Sequence, residues 1–335
     1  MNACGRAVRR ECSPFGDPPA ELHQTFFAPY CGKGVRLGPW QDSDGTARYA
    51  CLFEPPQASP SKPLPMVVWL HPSLLPVISV QWWTDLLKHL DDQNLSNDPQ
   101  RPGFIVLAPA GRNTSHYYPW PDDRGMGWDN WYRQFSKTEV TVDGRSYKEN
   151  VDAAAIDHFI DGEMATGKVD HDRVYISGWS NGAAMAYAYG LSRPNVAAIA
   201  VFSSPNPYHM APDACPQTPV AVPRNNSELQ IANLKIPAYQ VHNNCDIVGL
   251  CPNSLLLEDQ LRRAGISATD VIVNSKRDQV SACDASCGND PAGEPARLYL
   301  RGVYNHARWP DKWTSAMLDF FRRHPLNSGR RAAQR

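Results

Sequence analysis

Residues 173–191 confine the chain to few architectures. Arg173-Val174-Tyr175-Ile176-Ser177 reads as a buried strand, Asn181 to Leu191 is an Ala-rich helical run, and the pentapeptide Gly178-Trp179-Ser180-Asn181-Gly182 joins them. So tight a turn demands close backbone approach, which glycines permit, and it leaves the Ser180 side chain standing at the apex. Strand, tight turn and helix in that order are the unit of a parallel sheet crossed over by helices.

The rest of the sequence repeats the alternation. Strands are expected at Ala47 to Phe53, Met66 to Leu70, Phe104 to Ala108, Val196 to Ser203, Ile236 to Val241 and Ala296 to Val303. Helical spacing marks Val80 to Leu90, Lys148 to Met164, Ser254 to Ala264 and Trp313 to Phe321. The fold class is therefore α/β, a mostly parallel sheet with helices on both faces. A Cys- and Pro-rich extension over 1–60 is expected to precede one catalytic domain over 61–325, with insertions near 111–146 and 205–234 and a disordered tail at 326–335.

Gly178 to Gly182 fits G-x-S-x-G, the elbow that exposes a serine hydroxyl at a strand-to-helix turn. A hydroxyl at neutral pH needs a base, and the base needs a carboxylate to fix its tautomer. In the α/β-hydrolase order both follow the serine, each after a later strand. Asp246 follows the strand at Ile236, and His306 follows the one expected at Ala296. His71, His242, His116, His158, His171 and His209 are the competing imidazoles, and Asp284 and Asp290 the reserve acids. An oxyanion hole needs two N–H donors: Asn181 supplies one, and Ser73 the other, because Pro72 has none. Hydrolysis of carboxylic esters through an acyl-enzyme is the expected reaction. A serine peptidase or amidase on the same triad and a non-catalytic carbohydrate- or polymer-binding module are the alternatives.

A formal net charge of -1 gives no electrostatic reason to expect nucleic acid or an anionic membrane. No run approaches a membrane span, and Met1 to Cys12 lacks the apolar core of a signal peptide, so an export signal is expected to have been removed or never to have existed. The partner expected is a small-molecule or polymeric ester, and no cofactor or metal is implied: Cys283-Asp-Ala-Ser-Cys287 lacks a second pair at zinc spacing. Nine cysteines cluster as Cys4 with Cys12, Cys31 with Cys51, Cys245 with Cys251 and Cys283 with Cys287, leaving Cys215, a pattern that suggests disulfides.

Through "VVWLHPS", "VLAPAGR", "VDHDRVYISGWSNGAAMA", "VHNNCDIV" and "YNHARWP" the chain resembles the polyhydroxybutyrate depolymerase-like esterases, which include feruloyl and acetylxylan esterases, from about Pro65 to Phe321. The resemblance implies Ser180, Asp246 and His306 as triad and Ser73 and Asn181 as oxyanion donors. It also implies export, in agreement with paired cysteines. The chain departs from that family at His71-Pro72, where it has His-Gly, and in the stretched His306-Ala-Arg-Trp309-Pro310. Trp128, Trp131, Trp179 and Trp309 are expected to line the cleft, with Trp120 and Tyr132 beside them, because indoles give large, rigid apolar walls.

Overall fold

The computed structural model describes residues 29–42, 45–73, 75–112, 127–128, 140–142, 145–147, 150–205, 232–233, 235–243, 246, 253–273 and 303–326. Eight strands form one sheet: β1 (Val35–Gln41), β2 (Ala47–Phe53), β3 (Leu64–Leu70), β4 (Ile105–Pro109), β5 (Val169–Trp179), β6 (Ala198–Phe202), β7 (Ala238–Asn243) and β8 (Ala268–Val273). Their order is β1-β2-β4-β3-β5-β6-β7-β8. β2 runs antiparallel to β1 and β4, and the remaining pairs are parallel. The principal helices are α1 (Val151–Ala165), α2 (Asn181–Ser192), α3 (Asn253–Arg263) and α4 (Asp311–Arg323). A separate hairpin pairs Val140–Val142 with Arg145–Tyr147 inside the first expected insertion.

Alternation along the central strands explains why both faces are covered. On β3, Leu64, Met66, Val68 and Leu70 enter one apolar cluster together with Ile156 and Ile160 of α1 and Ala183 and Tyr187 of α2. Val67 and Trp69 enter the opposite cluster, with Leu318, Phe320 and Phe321 of α4. A strand buried on both sides has no polar face to show, which is why β3 reads as a continuous apolar run. Each such aliphatic side chain contributes about 1.5–3 kcal/mol by leaving water. α2 is buried from Asn181 to Leu191, hence its Ala-rich sequence without a polar stripe. α4 has one apolar face, with Asp311 in its first turn and Arg322 and Arg323 in its last, matching the helix dipole.

Three expectations are corrected. The described residues 29–42 and 45–60 are not a separate extension, because β1 and β2 are the first two strands of the sheet, and the Cys31–Cys51 disulfide ties the approach to β1 onto β2. A bridge closing a separation of 20 residues stabilises by about 3 kcal/mol in the loop-entropy picture. β1 escaped the sequence reading because it is a mostly exposed edge strand containing Pro39. Second, the helix expected at Val80 to Leu90 is two short turns, Ser79–Trp82 and Leu86–His89. Thr84 separates them: its hydroxyl donates to the Val80 carbonyl at 2.5 Å and accepts from the Leu86 N–H at 3.2 Å, competing with helix hydrogen bonds. Third, Val303 opens a helical turn over 303–306 rather than ending a strand, and the last described strand is β8. Residues 296–302, the pairs Cys4 with Cys12, Cys245 with Cys251 and Cys283 with Cys287, Cys215, and the tail from 327 lie outside the described residues.

Register brings the chemistry together. Leu70 pairs with Gly178, Trp179 with Phe202, and Phe202 with Val241, so the C-terminal ends of β3, β5, β6 and β7 finish at one edge. His71, Ser180, Ser203 and Asp246 leave the sheet there, as ligand-binding residues do in open parallel sheets.

Candidate active site

Ser180 sits between β5 and α2 with φ 56° and ψ -122°, a conformation an L-residue adopts only under constraint. Its N–H donates to the Phe202 carbonyl at 3.0 Å, and its own carbonyl accepts from Ala183 and Ala184. Both flanking glycines are required. A Cβ at Gly178 would lie 2.6 Å from the carbonyl carbon of Gly182, and one at Gly182 would lie 2.6 Å from that of Leu70.

The structure brings three distant side chains into one line. His306 Nε2 is 2.8 Å from Ser180 Oγ, and His306 Nδ1 is 3.0 Å from Asp246 Oδ1. Asp246 is buried, as is most of Ser180, while the His306 ring keeps an edge toward solvent. A hydrogen on Nδ1 facing the carboxylate leaves Nε2 as an acceptor aimed at the serine hydroxyl, the arrangement for deprotonating it. The competing histidines lie elsewhere. His242 is buried at the end of β7, His158 stacks on Trp40 with centroids 4.6 Å apart, and His171 is exposed. His116, His209, Asp284 and Asp290 lie outside the described residues.

The tryptophans expected to wall the cleft are a correction. Trp128, Trp179 and Trp309 are all buried, and each spends its indole N–H on holding a loop. Trp128 Nε1 donates to the His71 carbonyl at 2.8 Å, while the Trp128 backbone N–H donates to Asn181 Oδ1 at 2.6 Å. That clamps together the two turns carrying Ser73 and Asn181. Trp179 Nε1 donates to the His306 carbonyl at 3.0 Å. Trp309 Nε1 donates to Thr314 Oγ1 at 2.9 Å and lies 3.1 Å from Asp85 Oδ1, docking the segment after His306 onto α4. Trp131, with Trp120 and Tyr132, lies outside the described residues.

His71 braces the turn in which half-buried Ser73 sits. Its Nε2 accepts from the Gly111 N–H at 3.0 Å, and its Nδ1 lies 3.0 Å from the Pro72 carbonyl, which requires the neutral ring protonated on Nδ1. Burial pushes this imidazole down from 6.5 to about 4. An unfolded chain therefore takes up a proton on His71 at a higher pH than the folded one does. The stability tied to this ring is full above 6.5 and is lost as the pH falls toward 4, up to about 3 kcal/mol. Urea titrations of wild type and His71→Asn across that range check it: the variant should show a shallower decline, and parallel declines would rule out His71 as the source.

Sequence reasoning missed three contributors. Ser203, one residue past β6, places Oγ 2.5 Å from Asp246 Oδ2 and 2.6 Å from His306 Nδ1. Asn243, at the end of β7, donates from Nδ2 to the carbonyls of Asn305 at 2.6 Å and Arg308 at 2.8 Å, gripping the chain on both sides of His306. Trp83 follows β3, is 49% exposed, and its ring lies 6.5 Å from that of Trp179. Its place just after a short apolar helix gave no mark of exposure in the sequence.

No family profile and no curated relative matches the sequence. Solved structures do resemble it. A thermostable esterase superposes with a TM-score of 0.51 at 14% identity over 88% of this chain, which spans 64% of that esterase's length. Esterase 2 of Thermogutta terrifontis, phosphoramylated by tabun, gives 0.51 at 10% identity, covering 87% of this chain and 93% of that one. Esterase Est22 gives 0.51 at 14% identity over 90% and 84%. At such identities the likeness is one of architecture, and the architecture is the α/β-hydrolase fold.

Proposed function

We propose that the chain is a serine hydrolase that cleaves carboxylic esters through an acyl-enzyme. The observation that carries this reading is the unbroken line Ser180 Oγ, His306 ring, Asp246 carboxylate, with separations of 2.8 and 3.0 Å. His306 takes the Ser180 proton as Oγ attacks the ester carbonyl, and Asp246 stabilises the resulting imidazolium. The oxyanion is held by the backbone N–H groups of Asn181, in the first turn of α2, and Ser73. His306 then protonates the departing alcohol. In the second half it deprotonates a water, which attacks the acyl carbon, and Ser180 leaves with the proton returned to it.

The polyester, feruloyl or other aryl ester expected from the sequence resemblance is the finer part of the proposal. Exposed Trp83, packed against the Trp179 that bonds the His306 carbonyl, supports it, together with Tyr304, 52% exposed and two residues before His306. Solvent-facing rings beside a triad offer an apolar acyl or polymer chain a rigid surface. The Cys31–Cys51 disulfide supports an oxidising, extracytoplasmic compartment. Among the described residues no helix is long and apolar enough to cross a membrane.

Matched esters and amides of acetate and of a bulky aryl acid, assayed with wild type and Trp83→Ala, test both levels. Ester turnover with labelling by a fluorophosphonate probe is expected, with Trp83→Ala losing several-fold in kcat/KM on the aryl ester and little on the acetyl ester. Amide cleavage at comparable rates would favour a peptidase. Absence of both turnover and labelling would leave a binding module, and equal losses on both esters would remove Trp83 from the substrate surface.

A further inference from the structure

We infer that Ser203 is a fourth member of the relay, a positioning residue that fixes the tautomer of His306. The inference rests on the triad reading above and on a donor count that admits one arrangement. His306 Nε2 must accept from Ser180, so the ring hydrogen is on Nδ1. Nδ1 has Asp246 Oδ1 at 3.0 Å and Ser203 Oγ at 2.6 Å, and its hydrogen is shared between them. Ser203 Oγ, accepting there, sends its own hydrogen to Asp246 Oδ2 at 2.5 Å. Imidazole, hydroxyl and carboxylate thus close a ring in which every group has one role. The other tautomer would break it, because Ser203 would then face a bare Nδ1 and a carboxylate with a single hydrogen to give.

The backbone argues the same way. Ser203 is fully buried at φ 54°, a conformation natural to glycine, and among the described non-glycine residues only Asn97 and Ser180 share a positive φ. The Ser203 N–H donates to the Val241 carbonyl at 2.8 Å, so pairing with β7 holds the residue in place. A position that glycine would occupy without strain carries the one small side chain whose hydroxyl reaches both partners. Observed strain at a site points to a use for the side chain that bears it.

Ser203→Gly, Ser203→Ala and Ser203→Thr test this together. Glycine relieves the backbone, alanine keeps its strain without the hydroxyl, and threonine keeps the hydroxyl at some cost in folding. Glycine and alanine should both lower kcat about tenfold to a hundredfold, the worth of a hydrogen bond to a charged group, with KM unchanged. Glycine should melt higher than alanine, since both lose the hydroxyl and only glycine relieves the backbone, and threonine should recover most of kcat despite a lower melting temperature. The downfield Nδ1 proton resonance of His306, observable without substrate, should shift in glycine and alanine and persist in threonine. A glycine variant with wild-type kcat and an unmoved resonance would overturn the role of Ser203 while leaving the triad intact. Wild-type protein that neither turns over esters nor labels with the probe would overturn the triad reading instead, and the role of Ser203 with it.

Discussion

Ser180→Ala is expected to lower ester turnover by a factor on the order of a million while leaving the fold in place. The hydroxyl is the atom that forms the acyl bond, and the structure offers no substitute for it at the elbow. Ser203, the nearest other hydroxyl to His306 among the bonds described, faces Nδ1 and Asp246 rather than Nε2. Alanine at φ 56° bears the same backbone cost as serine, and the lost bond to His306 at 2.8 Å is worth about 1 kcal/mol, so the melting temperature should move by only a few degrees. Turnover, probe labelling and a melting curve on the same purified sample check it. Activity above a few per cent of wild type would mean that another group attacks the ester.

Much of this arrangement is legible in the sequence because sheet burial and the elbow both leave strong local marks. β3 and β6, buried on two faces, are apolar throughout, and Gly178 and Gly182 must lack side chains for α2 to lie on β3. Chain order then restricts the partners of Ser180 to residues after it, which leads to Asp246 and His306. Edge elements leave weaker marks: β1 carries Pro39 and mostly solvent-facing residues, and β8 is a short edge strand whose apolar run, Val271-Ile272-Val273, is interrupted upstream by Thr269 and Asp270. Thr84 broke a helix whose apolar spacing was correct, since a hydroxyl's choice between side-chain and backbone partners is settled by the surrounding fold.

The site was less legible than the fold because supporting groups act through hydrogen bonds across long sequence separations. Nothing in "VFSSP" distinguishes Ser203 from Ser204, and only the sheet register aims the first at Asp246 and His306. Asn243 looks like any residue of a polar loop until its amide meets the carbonyls of Asn305 and Arg308. The buried tryptophans show the opposite error. The large rigid apolar surface of indoles suggested contact with substrate, but an indole can bury its face and still use its N–H, and Trp128, Trp179 and Trp309 do so to hold loops. Trp83, which keeps its ring toward solvent, comes from the segment after β3.

Gly182→Ala is expected to be the most damaging single-methyl change in the catalytic half of the sheet. The added Cβ would press on the carbonyl oxygens of Leu70 and His71 and lie 2.6 Å from the Leu70 carbonyl carbon. All of these are backbone atoms, and Leu70 is fixed by its pairing with Gly178, so no side-chain rotation can make room. Either α2 lifts from β3 or the end of β3 bends. Overpacking of a rigid neighbour costs about 3 kcal/mol, the upper end of the usual range. The accompanying shift should cost activity as well, because Ser180, the Asn181 N–H and the His71 turn are all carried by the segments forced apart, and a displacement of about 1 Å at a reacting centre can cost on the order of a hundredfold. Gly162→Ala is the internal control: in α1 a Cβ at that position meets nothing within 4 Å, so the same methyl should stabilise by about 1 kcal/mol through helix propensity. Urea titrations of the two variants beside wild type should therefore move in opposite directions, with kcat falling only for Gly182→Ala. Equal stability of Gly182→Ala and wild type would show that the helix and strand do not meet as closely as the elbow geometry requires.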